Sequence, residues 1–140
     1  MSRLVNIPGL PCPRYLQERP PAAEVALLFD EAGLNGPLAD LPRLDRMIGE
    51  AQHVLTARVG DELAGLIRVL TDFSFNAFVA DLAVRPSHQH QGIGSELVRR
   101  ATLDWPGVKF VVHPGHDSAA FWLRRGFAPE TTCLVRPRAG

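Results

Sequence analysis

Asp81-Leu82-Ala83-Val84-Arg85-Pro86-Ser87-His88-Gln89-His90-Gln91-Gly92-Ile93-Gly94-Ser95 decides how this chain is read: an apolar strand passes through a turn into glycines that open a helix. The first N–H groups of a helix have no partner inside it, and the helix dipole adds roughly half a positive charge at that end. Such an end is a seat for phosphate. Glycines at 92 and 94 let the backbone from Gly92 to Ser95 approach a diphosphate with no side chain between. Spacing excludes two common phosphate loops. No Lys follows Gly94 as a Walker A loop requires, and Leu97 stands where a dinucleotide fingerprint has its third glycine.

Downstream, the helix is expected over Gly92 to Leu103, with Ile93, Leu97 and Ala101 as its buried stripe and Glu96 pairing with Arg99 or Arg100 on the wet side. Trp105-Pro106-Gly107 ends it. Lys109 to Val112 reads as a strand buried on both faces, and Ser118 to Arg125 as a short helix capped by Asp117 or Ser118 and stopped by Gly126. Phe127 and Thr131 to Val135 supply a last strand. Upstream, Phe75 to Val84 is a strand, and His53 to Val59 joins Leu63 to Leu70 in a hairpin about Gly60-Asp61. Two amphipathic helices precede it, near Pro21 to Ala32 and, after Asp40 as cap, near Leu41 to Ala51. Pro8, Gly9, Pro11, Pro13 and Pro20 make residues 1–20 an extended, irregular arm. The remaining 21–140 form one α/β domain.

Composition narrows the class. A 140-residue chain is one domain by length, and at that size about 68% of the unfolded surface is buried, so no disulfide is needed. Cys12 and Cys133 lie near opposite ends without metal-ligand spacing, which points to a reducing compartment and no metal site. Fifteen basic residues balance fifteen acidic ones, so the electrostatic footprint of a nucleic-acid binder is missing. No apolar run reaches the roughly 18 residues of a membrane span, and Met1 to Asn6 lacks a signal peptide's apolar core. A soluble, cytoplasmic protein is expected. Exposed apolar strand edges are expected to support a homodimer.

The pattern Gln89-x-x-Gly92-x-Gly94, preceded by a strand ending in Val84-x-Pro86, resembles the Gln/Arg-x-x-Gly-x-Gly/Ala motif of the GNAT acetyltransferases. The element order is similar to theirs from about residue 24 to 135, and Phe121-Trp122-Leu123-Arg124-Arg125-Gly126-Phe127 resembles their Phe-Tyr-x-x-x-Gly-Phe. Arg68 to Ala77 with Asp81 is similar to the branch of arylalkylamine and protein-lysine acetyltransferases. The resemblance implies a mixed central sheet of about six or seven strands flanked by about four helices. It implies acetyl-CoA as acetyl donor and direct transfer to a primary amine, of a small molecule or a protein. The pantetheine arm would run along Leu82, Ala83 and Val84, and the diphosphate would meet Gln89, His90, Gln91, Gly92, Ile93, Gly94 and Ser95. Trp122 would stand at the cofactor in place of the family's tyrosine.

Deprotonating the amine calls for a base or a water relay, because a lysine-like amine has a pKa of about 10.4. Asp81 is one candidate: period-2 alternation puts it on a strand face with Ala77, Val79 and Ala83, where a carboxylate is out of place. The alternative for Asp81 is a structural role, bonded to backbone or to an arginine such as Arg68. His113, at the end of the strand after the glycine-loop helix, is the second candidate, and His116 a third. Phe78 occupies the position of a catalytic Glu in several family members, and Gly115 that of a cofactor-orienting asparagine. An indole cannot supply a proton near neutral pH, so Trp122 is no replacement for a general-acid tyrosine. These departures keep a second reading open: an acyl-CoA-binding regulatory or interaction module of weak catalytic power.

Overall fold

The computed structural model describes residues 11–139. Its strands β1 (Arg14–Gln17), β2 (His53–Val59), β3 (Glu62–Thr71), β4 (Asn76–Val84) and β5 (Lys109–Val112) stand side by side in chain order. The first four pair antiparallel, and β5 lies parallel to β4. A parallel neighbour demands a crossover, which α3 (Ile93–Thr102) provides. The other helices are α1 (Ala22–Ala32), α2 (Leu41–Glu50) and the short α4 (Ala119–Leu123). None of the described helices is long and apolar enough to cross a membrane.

Local chemistry sets the helix ends. Gly33, at φ 75°, closes α1 by donating to the Asp30 carbonyl at 3.1 Å while the Leu34 N–H returns to Phe29 at 2.9 Å. Asp40 caps α2 by accepting from the Arg43 N–H at 3.2 Å. Both helices bury one stripe on the same face of the sheet: Val25, Leu28, Phe29, Leu44 and Ile48 pack with Leu63, Leu66 and Ala83. The other face carries α3 and α4, whose Ile93, Leu97, Val98, Ala101 and Trp122 close over Leu55, Ile67, Val69, Ala77 and Val79. Each fully buried Leu, Ile or Phe contributes about 1.5–3 kcal/mol of transfer free energy, so the two stripes, not helix propensity, hold the layers together.

Two ends differ from the sequence expectation. Residues 14–17, read as irregular, form the edge strand β1. The described prolines flank it at 11, 13 and 20, leaving a stretch long enough for one short strand. Arg58 of β2 fastens this segment through two carboxylates, Glu18 and Glu24, each at 2.7 Å, and Thr56 Oγ1 donates to Glu18 at 2.8 Å. β1 in turn explains Glu96. The sequence places it on the wet side, yet it is only 5% exposed. Tyr15 of β1 lies close enough to Glu96 to feel its charge, and the Arg100 guanidinium sits 4.5 Å from the Tyr15 ring. Glu96 holds both Arg99 and Arg100 at 2.7 Å.

At the other end, no strand forms after Phe127 among the described residues. Thr131 to Val135 has strand-forming side chains but lacks a backbone partner, and strand propensity has little force without one. Leu134 is 98% exposed. The segment meets β5 through a side-chain ion pair, Lys109 with Glu130 at 3.0 Å. The sheet therefore has five described strands instead of six or seven. Nor do Asp117 and Ser118 cap α4 through their side chains; the Ser118 hydroxyl donates to the Gly115 carbonyl at 3.2 Å.

Candidate active site

The sheet opens into a fork between β4 and β5. Their ladder joins Asn76–Val79 to Lys109–Val112, after which β4 continues to Val84 alongside β3 only. Arg85 donates its N–H to the Ala64 carbonyl of β3 at 2.8 Å. Antiparallel alternation then turns the N–H and C=O groups of Leu82 and Val84 the other way, into the fork. Gln89 reaches back to the Val84 carbonyl there, its Nε2 donating at 3.0 Å. A strand edge of this kind accepts an extended ligand as if it were another strand.

One extra residue reorients the middle of β4. Arg68 stands opposite Asp81 and Val69 opposite Val79, so Ala80 bulges out of register. Before the bulge, Ala77 and Val79 belong to the α3 face; after it Leu82 and Val84 do, and Ala83 faces α1 and α2. The expected face shared by Asp81 with Ala77 and Val79 is thus corrected: Asp81 keeps company with Ala83 alone. Period-2 alternation assumes an unbroken ladder, and the bulge breaks it. Across the strands, Arg68 Nε donates to Asp81 Oδ2 at 2.6 Å, with side chains 10% and 12% exposed.

Beyond β4 the chain makes a short 3₁₀ turn, Pro86–His88, then passes His90 at φ 63° and Gly92 at φ 83° into α3. Gly92 accepts from the Glu96 N–H at 3.0 Å, which leaves the N–H groups of Ile93, Gly94 and Ser95 without helical partners. A Cβ on Gly94 would meet the Phe121 ring at 3.5 Å and Val84 Cγ2 at 3.6 Å, ordinary contact distances. The protein tolerates a methyl there; leaving it out keeps space open between β4 and α4.

These parts enclose a cleft of about 460 Å³ lined by Leu82, Ala83, Val84, Gln89, His90, Gly92, Ile93, Gly94 and Ser95. Ala32, Leu34, His88, Asp117, Ala120, Phe121, Arg124 and Arg125 complete it. The sequence reading placed only Trp122 of α4 at the cofactor and missed Phe121, Arg124 and Arg125 as cleft residues. Arg124, two positions after Trp122, falls on the opposite side of a helical turn, which is the one available signal; Arg125, three positions after it, would share Trp122's side by helical spacing and reaches the cleft from beyond the end of α4.

Gln91 is exposed and lies outside that lining. Trp122 lies outside it too: the indole is 5% exposed, edge-on to Phe121 at 5.1 Å and to Phe127 at 5.0 Å. It is core, with one side on a second cavity of about 420 Å³ between β5, α4 and the segment 127–133. His113 lines this second cavity, immediately after the last β4–β5 pair, with its ring edge-on to Phe78 at 5.4 Å. Asp81 lines neither cavity, so the two base candidates are not brought together. Tyr15, the chain's single tyrosine, lies on β1 at the opposite sheet edge, its hydroxyl buried without a partner and its pKa pushed up to about 12 by burial and by Glu96. No group of three metal-ligating side chains occurs among the described residues.

A strand edge that leads straight into an uncapped helix start gives this α/β fold a cleft with outward backbone groups along one wall and N–H groups without helical partners at one end. Residues 24–127 match the acetyltransferase (GNAT) family model, and the chain belongs to that family. Over 61 residues it is 33% identical to an uncharacterized N-acetyltransferase in the lysA 3′ region of Bacillus methanolicus. That stretch is 44% of this chain and 49% of the relative, so the chain matches about half the length of that curated protein. Two solved structures share the fold. A GNAT-family acetyltransferase from Streptococcus pneumoniae TIGR4 has a TM-score of 0.75 and 24% identity, covering 91% of this chain and 99% of that one. A probable acetyltransferase from meticillin-resistant Staphylococcus aureus has a TM-score of 0.76 and 19% identity, covering 89% and 99%.

Proposed function

We propose that the protein transfers an acetyl group from acetyl-CoA to a primary amine. One observation carries the reading: the free edge of Leu82 and Val84 runs directly into the unpartnered N–H groups of Ile93, Gly94 and Ser95. The first suits the amides of a pantetheine arm and the second a diphosphate, so the residues present fit the donor. Bound there, acetyl-CoA supplies an acetyl group activated as a thioester.

The chain's own residues then have three tasks. The fork edge orients the arm, and an N–H near Leu82 offers a donor to the carbonyl oxygen, a role worth about 3–4 kcal/mol in other acyl-transfer sites. Arg68 occupies Asp81 Oδ2 at 2.6 Å on the sheet face away from α3. That commitment makes His113, at the apex of the fork, the better group to take the amine's proton. None of the three proteins named above bears on the arylalkylamine or protein-lysine branch, and the acceptor is proposed only as a primary amine.

The second reading, an acyl-CoA-binding module, is favoured by the burial of Trp122 and the remoteness of Tyr15, which leave the cleft without a tyrosine acid. Release of free CoA thiol from acetyl-CoA, measured against a panel of small amines and lysine peptides beside calorimetry of CoA binding, separates the two. Turnover with any amine class supports transfer. CoA binding with no turnover supports the module, and no binding removes both.

A further inference from the structure

Charge accounting around the cleft isolates two cations. Arg85 donates through Nε to the Leu63 carbonyl at 2.7 Å and pairs with Glu62 and Glu31. His88 faces Glu62 at 3.7 Å, and Arg99 and Arg100 are both taken by Glu96. Arg124 and Arg125 of the α4 end line the cleft with no ion pair to any described residue. The Nε of Arg125 is buried and has no acceptor among the described residues, although such a group costs about 1–3 kcal/mol when left unsatisfied. Its Nη1 reaches only the Phe121 carbonyl, at 3.5 Å.

The same arginine is held in place. Its guanidinium carbon lies 4.4 Å from the centre of the Phe121 ring, and that ring is the one a Cβ on Gly94 would touch. A single aromatic ring therefore sets the arginine beside the helix start that suits the diphosphate. Asp117 is the one carboxylate in the lining, so the pair of arginines leaves this wall positive.

We propose that Arg124 and Arg125 seat the 3′-phosphate of the donor's adenosine, so that the protein selects CoA over its 3′-dephospho form. The inference rests on the acetyl-CoA reading above and adds to it a recognition element that neither the strand edge nor the glycine loop supplies. Backbone N–H groups suffice for a diphosphate. A terminal phosphomonoester has up to two charges and three oxygens, and the planar fork of arginine matches it with charge-assisted hydrogen bonds.

The test is calorimetric titration of the full chain with CoA and with 3′-dephospho-CoA, repeated on the double variant Arg124→Gln/Arg125→Gln. The wild type is expected to bind CoA about tenfold or more tighter than dephospho-CoA, as charge-assisted bonds imply, with the preference shrinking as salt is raised. The variant is expected to bind both with the affinity the wild type has for dephospho-CoA, which also shows that its cleft is intact. Equal wild-type affinities, a preference that survives in the variant, or loss of dephospho-CoA binding by the variant would each overturn the assignment while leaving the donor reading standing. Failure of the wild type to bind either compound would overturn the donor reading, and this inference with it.

Discussion

Arg68 and Asp81 face each other across β3 and β4 at the first register position after the Ala80 bulge, joined Nε to Oδ2 at 2.6 Å. The pair stands where the fork opens. Two nearly buried charges compensate each other there, which steadies the bulge that turns Leu82 and Val84 to the α3 face. Removing one partner strands the other.

Asp81→Asn and Arg68→Met are accordingly expected to lower stability by about 3 kcal/mol each, the usual cost of breaking a buried pair, and the double substitution by less than their sum. Urea denaturation of the four proteins checks this. An Asp81→Asn protein as stable as wild type but without turnover would instead make Asp81 the base.

His113→Ala is expected to lower turnover by about 10²–10⁴-fold, the range for a lost general base, with CoA affinity unchanged because the imidazole lies outside the nucleotide cleft. Steady-state kinetics beside calorimetry measures both quantities.

Gly92 and Gly94 are expected to part company on substitution by alanine. At φ 83° Gly92 holds a left-handed backbone that costs a side-chain-bearing residue about 1–2 kcal/mol, whereas a methyl group added to Gly94 would make only ordinary contacts with Phe121 and Val84. Thermal melts should show Gly92→Ala clearly destabilised and Gly94→Ala close to wild type.

Burial and the nearby charge of Arg19 lower the pKa of His53, with Asp104 opposing them weakly. Its Nε2 is buried without a partner among the described residues, and the ring stands 6.0 Å from that of Phe73. The unfolded chain, with an ordinary pKa near 6.5, takes up this proton first. Stability is therefore full above that value and falls as pH drops below it, by at most about 1.4 kcal/mol per pH unit from this group. His53→Phe should flatten that part of the stability–pH curve.

Tyr15→Phe removes a hydroxyl that has no partner among the described residues. It is expected to leave turnover unchanged and stability equal or slightly higher, since deleting an unsatisfied buried polar group relieves its desolvation cost. A large loss of turnover would instead bring Tyr15 into the chemistry.

The elements with strong periodicity and chemical punctuation were legible in the sequence. Asp40, Gly33 and Gly92 mark helix ends through side-chain or backbone chemistry that acts within a few residues, so α1, α2 and α3 could be placed. The hairpin of β2 and β3 was legible for the same reason. Long-range causes hid the rest. β1 is fastened by Arg58, some forty positions from Glu18, and Glu96 is buried near Tyr15 of β1, a neighbour that its own helix does not announce. The bulge at Ala80 is a property of the β3–β4 pair and not of either strand alone, so alternation misplaced Asp81. Trp122 lies in the short α4 and Arg125 two positions past its end, and only the packed core shows that the first is covered while the second reaches the cleft.

Arg58 also bears on the order in which the molecule assembles. By clasping Glu18 and Glu24 it ties the chain before α1 to a strand that is synthesised much later, so β1 can dock only after β2 has found its place in the sheet. Contacts of such long sequence separation come late and at a cost in loop closure. They are also suited to open first. The amides of Arg14 to Gln17 should then exchange with solvent through a local detachment of this edge, on a faster clock than those of β3, while the fork on the far side of the sheet stays closed.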